Sequence, residues 1–308
     1  MNQSSAIDQW LTAMHRHTWN VMSPQGRLAM LQGLEHIMAA EQGRPEVRII
    51  VVSPEEQAEN PGMAGYFNGT EIAISEKFLT RHKPSQLGVD YFTVAGAVNT
   101  ILHEGRHAWQ HYIAENGAEG VDSTMRSMLL MNFTNYEADS TGYGAQVIEL
   151  DARRYAREQY DNLLRRMRAL GWEPDEVYIK QQWIDQAEEN AWAESIKTEL
   201  TEAQLNAWDL KARIRMAHMY PEIDTDGISL FDTARKLLQG KLSVQEFIDG
   251  KPLAFSDMAN MNIMDKPDAF ADLENAFWTA LDKPMDSRKM AEQPDGMNIR
   301  PIGKGVVF

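Results

Sequence analysis

Apolar residues recur at helical spacing over 25–42, where Leu28, Met30, Leu31, Leu34, Ile37 and Met38 share one side and Gly43-Arg44-Pro45 ends the run. A helix is predicted there. The next segment, 47–53, clusters the β-branched residues Val47, Ile49, Ile50, Val51 and Val52 and predicts a strand. A second extended stretch covers 63–75, with Tyr66 and Phe67, the turn signal Asn68-Gly69, then Ile72 and Ile74 alternating with small or polar neighbours. Together they predict a small sheet with a hairpin.

Over 94–114, Val94, Val98, Ile101, Leu102, Ala108, Trp109, Tyr112 and Ile113 keep helical spacing, and Asn116-Gly117 supplies a C-terminal stop. A loop-rich stretch with Gly142 and Gly144 leads to another long helical pattern over 145–170, ended by Gly171. Beyond it the character changes. Val177, Trp183, Ile184, Ala187, Ala191, Trp192 and Ile196 form a helical stripe, and Thr201 with Gln204 reads as a capping box opening a helix to about 219. Ser243 with Glu246 opens a shorter candidate, 268–281 reads as one more helix, and the tail after Pro284 reads as irregular. The expected architecture is α+β over 1–172, followed by a mostly helical region over 173–308 with an irregular tail.

Composition narrows the function. Of 308 residues, 43% are hydrophobic and 24% charged, so the chain can bury a core without staples. A net charge of -15 disfavours nucleic acid and anionic lipid as partners. No apolar run approaches the ~20 residues of a membrane span, and the N-terminus lacks a secretory signal's apolar core. A cytoplasmic protein is expected in the producing cell, with any export left to a specialised route. Cysteine is absent, which leaves imidazoles and carboxylates as the available metal ligands.

Residues 103–107 read H-E-G-R-H. Two imidazoles four positions apart on a helix lie about 40° apart and one turn along, close enough for two tetrahedral positions on one zinc ion. Glu104 then sits beside them as a candidate general base for metal-activated water. His111 continues the spacing. It stands about 80° round and two turns along from His103, which favours a supporting or solvated residue over a third imidazole ligand. A three-histidine site would also need Gly at Gln110 and His at Ile113.

The third ligand must come from elsewhere. Glu149 falls within the apolar stripe of Ala145, Ile148, Ala152, Ala156, Leu163 and Met167, where a carboxylate needs a cation as partner. A metal is one such cation, and Arg106 or Arg153 is the alternative. Glu137 and Asp139 are rival ligands, because they precede the glycine-rich bend. Asp151 and Asp139 are candidates to orient His103. Tyr136 and Tyr143 are candidates to stabilise an oxyanion, with packing as the alternative role.

The segments L-H-E-G-R-H-A-W-Q-H at 102–111 and E-L-D-A at 149–152 resemble the zincin metallopeptidase domains of bacterial polymorphic toxins and type VI secretion effectors, in which H-E-x-R-H-A-x-Q precedes E-x-D-A. The resemblance covers roughly 45–170. It implies a zincin-like fold with a small sheet, an active-site helix and a ligand helix. It further implies Zn²⁺ held by His103, His107 and Glu149, Asp151 as a structural or supporting residue, and a protein or peptide substrate. A cognate immunity protein or a secretion-system component are the further partners it suggests. One departure is Arg153, at the position where thermolysin-like enzymes carry an orienting Asp.

Two other readings stand beside the enzyme: a catalytically idle, zinc-bound interaction module, and a housekeeping cytosolic peptidase. Glu104 favours catalysis, since a purely structural site has no use for a base. E-I-D-T-D-G at 222–227 begins like a calcium loop, but its twelfth position is Thr233, so a polar turn is expected. Trp183, Trp192 and Trp208 read as packing residues.

Overall fold

The computed structural model describes residues 6–13, 16–80, 94–117, 121, 123–136, 143, 146–172, 202–225, 227–230 and 233–234, and all structural statements refer to these. They form an α+β structure, mostly helical, with one small mixed sheet.

Three helices open the chain: α1 (Ala6–Ala13), α2 (Arg16–Val21) and α3 (Pro24–Gln42). The third matches its predicted span closely because its ends are chemically marked. The Ser23 hydroxyl accepts from the Gly26 N–H, Pro24 occupies the first turn, and Gly43 closes the helix at φ +63°. The first two helices have no counterpart in the sequence reading. Ile7, Trp10 and Leu11 of α1 are buried, and the Trp10 indole donates to the Met30 carbonyl at 2.8 Å, so tertiary burial rather than length stabilises this short helix.

Strand β1 (Arg48–Val51) is followed by α4 (Pro54–Glu59), β2 (Gly65–Phe67) and β3 (Glu71–Ile74). The sheet order is β1-β3-β2, with β1 parallel and β2 antiparallel to β3. The expected hairpin is present. Asn68 Oδ1 accepts from the N–H groups of Thr70 and Glu71, and Gly69 takes φ +98°. Helix α4 was not anticipated from sequence, although Ser53 and Glu56 form a reciprocal capping box at its start.

Helix α5 (Val94–Asn116) is the centre of the fold, packing against α3, β2, β3, α6 (Ser123–Thr134) and α7 (Val147–Ala169). Buried on nearly every side, it carries its polar residues into the interior. Helix α6, which ends before the loop-rich stretch with Gly142 and Gly144, has no counterpart among the elements expected from sequence. Met125, Met128, Leu129, Leu130 and Met131 are buried there together with Ser127 and Asn132, so its buried positions are not confined to one apolar stripe. Helix α8 (Glu202–Met219) lies close to its predicted span and packs on α6, where Ala212 and Met216 join Trp109, Ile113, Leu129 and Ile148 in one apolar cluster.

Residues 221–223 turn the chain after α8, at the start of the 222–227 stretch expected to be a polar turn. The stripe at 177–196, with Trp183 and Trp192, the cap residue Thr201, the segments opening at Ser243 and spanning 268–281, and the tail lie outside the described residues, as does the side chain of Trp208.

Candidate metal centre

The H-E-G-R-H segment occupies the middle of α5, and His103, Glu104, Arg106 and His107 are all buried. Gly105 faces α3. A Cβ there would meet Met38 Cε at 2.7 Å and Glu35 Oε2 at 3.2 Å, so the missing side chain is what lets α3 pack this closely. The Arg44 guanidinium, paired with Glu35 at 2.5 and 2.8 Å, also donates to the Gly105 carbonyl at 3.2 Å.

The histidine pair meets Glu149 from α7. Nε2 of His103 lies 3.1 Å from Nε2 of His107 and 3.4 Å from Glu149 Oε2, and Nε2 of His107 lies 3.4 Å from Glu149 Oε1. One ligand atom from each of the three falls within 4.8 Å of the others, and all three residues are buried. Two neutral imidazoles and a carboxylate form a donor set suited to a divalent metal, so this group could hold one.

The three groups are electrostatically coupled. Burial pushes His103 down to about 4. Burial also acts against charge on His107, but the adjacent Glu149 carboxylate outweighs it and pushes His107 up to about 9. Glu149 itself is opposed by burial, yet His107 and His103 hold it well below the ordinary carboxylate value. With no metal between them, a hydrogen bond joins the two Nε2 atoms at 3.1 Å, and these directions put its proton on His107. A divalent cation among the same atoms would take the proton's place.

Glu104 stands next to the cluster rather than within it. Burial pushes its carboxyl up to about 7, and the backbone N–H of Phe67 donates to it. That N–H belongs to β2, an outer strand of the described sheet, so strand and candidate base are in contact.

The remaining candidates fall into two groups. Tyr136 Oη donates to Glu149 Oε1 at 2.8 Å and Tyr143 Oη to Glu149 Oε2 at 3.0 Å, which places both tyrosines on the candidate ligand carboxylate. Asp151 is paired with Arg106 at 2.8 and 3.0 Å and accepts from Gln110 Nε2 at 2.6 Å. Gln110 Oε1 in turn lies 2.8 Å from His107 Nδ1, so the contacts of Asp151 lead to His107. Arg106 is therefore spent on Asp151, not on Glu149. The charge of Arg153 bears on His103, Glu104 and Tyr143, and its guanidinium lies 6.0 Å from the Tyr143 ring.

His111 lies outside the ligand cluster. It packs edge-on between Phe67 and Phe133, and its Nε2 is 3.4 Å from Glu115 Oε1. Glu137 and Asp139 lie outside the described residues. Sequence reasoning missed Gln110 and the backbone of Phe67. The signal for Gln110 was available, since it closes the H-E-x-R-H-A-x-Q pattern.

No family model matches this chain, and comparison with curated proteins and with solved structures likewise gives no match.

Proposed function

We propose that this protein is a zinc-dependent metallopeptidase. The observation that carries the reading is the convergence of two imidazole nitrogens and one carboxylate from two helices on a single buried point, with a fourth group, Glu104, beside them and in contact with an outer strand. His103, His107 and Glu149 would hold the metal. Zinc is favoured by the donor set, two imidazoles and a carboxylate without thiolate. When bound, zinc supplies a Lewis acid that makes water nucleophilic near neutral pH and polarises a carbonyl.

The protein's own contribution is position and proton transfer. Glu104 accepts the proton of the attacking water at its carboxylate and returns it to the leaving amine. The Phe67 N–H donates to the Glu104 carboxylate and helps to hold it in place. An extended peptide laid along β2 would run past the same carboxylate. Resemblance of 102–111 and 149–152 to effector and toxin domains supports delivery to another cell, with a dedicated immunity protein as partner.

The test is a pair of measurements on the purified protein. Elemental analysis should find close to one equivalent of zinc, and Glu104→Gln should keep that zinc while peptide hydrolysis falls by at least ~100-fold. Zinc retention with no hydrolysis of any peptide library by the wild type would favour the idle interaction module instead. For the effector reading, expression in bacteria should be toxic for the wild type and harmless for Glu104→Gln.

A further inference from the structure

Behind His107 runs a buried chain of hydrogen bonds that the reaction outlined above does not use. We propose that Gln110 is a positioning residue that fixes His107 with its proton on Nδ1 and its Nε2 lone pair towards the metal, and that the Arg106–Asp151 ion pair locks Gln110 in that orientation. The inference rests on the metal-binding reading of His103, His107 and Glu149.

The argument turns on which end of the Gln110 amide faces which neighbour. Its Nε2 lies 2.9 Å from the Ile148 carbonyl oxygen and 2.6 Å from Asp151 Oδ2, two groups that only accept. The amide nitrogen, with two protons, satisfies both. Turned the other way, the amide oxygen would face two acceptors in a fully buried position, with no donor of its own. The orientation is therefore decided by chemistry, and it leaves Oε1 facing His107 Nδ1 at 2.8 Å. An amide oxygen cannot donate. His107 Nδ1 must carry the proton, and Nε2 is the nitrogen available to a metal.

Asp151 is itself fixed. The Arg106 guanidinium engages both of its oxygens, and that guanidinium is covered by the rings of Trp109 at 3.8 Å and Tyr155 at 4.8 Å. Its charge is thus balanced locally, and it reaches His107 only through a neutral amide. A carboxylate bonded directly to the imidazole would raise the ligand's basicity more strongly than an amide does. The same bonds tie α5, which carries both histidines, to α7, which carries Glu149 two residues before Asp151.

Cadmium-113 NMR on ¹⁵N-histidine protein, with zinc affinity from chelator competition, tests the proposal. In the wild type, cadmium should couple to His107 Nε2 and the Nδ1 proton should exchange slowly. Gln110→Met, which keeps the volume without the hydrogen bonds, should lose the slow Nδ1 proton and bind zinc ~10–100-fold more weakly. Asn132→Ala is the structural control, because Asn132 is equally buried and bonds Gln146 and the start of α7. It should lower the melting temperature and leave both readouts near wild type.

Cadmium coupled to Nδ1 in the wild type would overturn the proposal whatever the variants do. So would a folded Gln110→Met with unchanged zinc affinity and Nδ1 signal, or an Asn132→Ala control that moved them as far. A wild type that takes up neither metal sinks the metal-binding reading itself, and this inference with it.

Discussion

Tyr136 Oη lies 2.8 Å from Glu149 Oε1, and Tyr143 donates to the other oxygen of the same carboxylate at 3.0 Å. A buried anion held by two phenols is fixed in direction before any metal arrives. The two hydroxyls therefore serve the ligand in this arrangement, whereas an oxyanion donor would point at the place where a substrate carbonyl sits. Tyr136→Phe and Tyr143→Phe should each weaken zinc binding by ~10–100-fold, with a larger loss in the double variant. Chelator competition measures this. Unchanged affinity with a reduced kcat would return the tyrosines to the oxyanion role.

Gly65 sets the approach of β2 to α5. A Cβ at this position would meet the Ala73 carbonyl oxygen and Thr100 Cγ2, both at 2.7 Å, and a backbone oxygen within the sheet has nowhere to go. Gly65→Ala should cost ~1–3 kcal/mol in denaturant unfolding. Because Phe67, two residues on, holds Glu104, hydrolysis should fall further than stability alone explains, while zinc content stays. Combining it with Thr100→Ala relieves one of the two clashes and should recover part of the loss. A Gly65→Ala protein with wild-type stability and turnover would show that β2 does not set the position of Glu104.

Much of the candidate metal cluster was readable because it depends on helix geometry. His103 and His107 share a face at any register, and Glu149 was visible as a carboxylate in an apolar stripe. The contacts of Asp151 were not readable. Whether it meets His103 or His107 depends on how α5 and α7 are rotated about each other, and that is set by burial of side chains across both helices. The hairpin announced itself through Asn68-Gly69, but α1, α4 and α6 did not. Their stability comes from docking onto α3, the capping box at Ser53 and burial not confined to one apolar stripe, none of which leaves a long periodic signal.

Away from the site, Glu46 accepts from His36 Nδ1 at 2.8 Å and Gln32 Nε2 at 2.5 Å, linking α3 to the start of β1. Burial opposes its charge, but these bonds outweigh burial and hold its pKa below the ordinary 4.5. An acid depressed by folding contributes stability that is present above its unfolded value and lost as pH falls through its folded value. Wild-type protein should therefore lose melting temperature on acidification below about 4.5 more steeply than Glu46→Gln. Parallel acid limbs in the two proteins would remove Glu46 from the acid response.

Glu149 is the assignment on which the metal centre depends most. It is 1% exposed, and of the two arginines named from sequence as possible partners, Arg106 is committed to Asp151 while the charge of Arg153 bears on His103, Glu104 and Tyr143. Its near neighbours are two imidazoles and two phenols, and without a metal the proton on His107 balances its charge. A bound divalent cation would replace that proton. Glu149→Ala should therefore lose a direct metal bond and weaken zinc binding well beyond the ~10–100-fold expected for a residue that only supports a ligand. Glu137→Ala and Asp139→Ala, the rivals named from sequence, should keep affinities near wild type. A zinc-sensitive chelator dye ranks the three variants in one experiment, with circular dichroism confirming that each is folded. If Glu137→Ala or Asp139→Ala released the metal while Glu149→Ala retained it, the third ligand would lie between α6 and α7, and the His103–His107–Glu149 cluster would have to be reread as a hydrogen-bonded core triad.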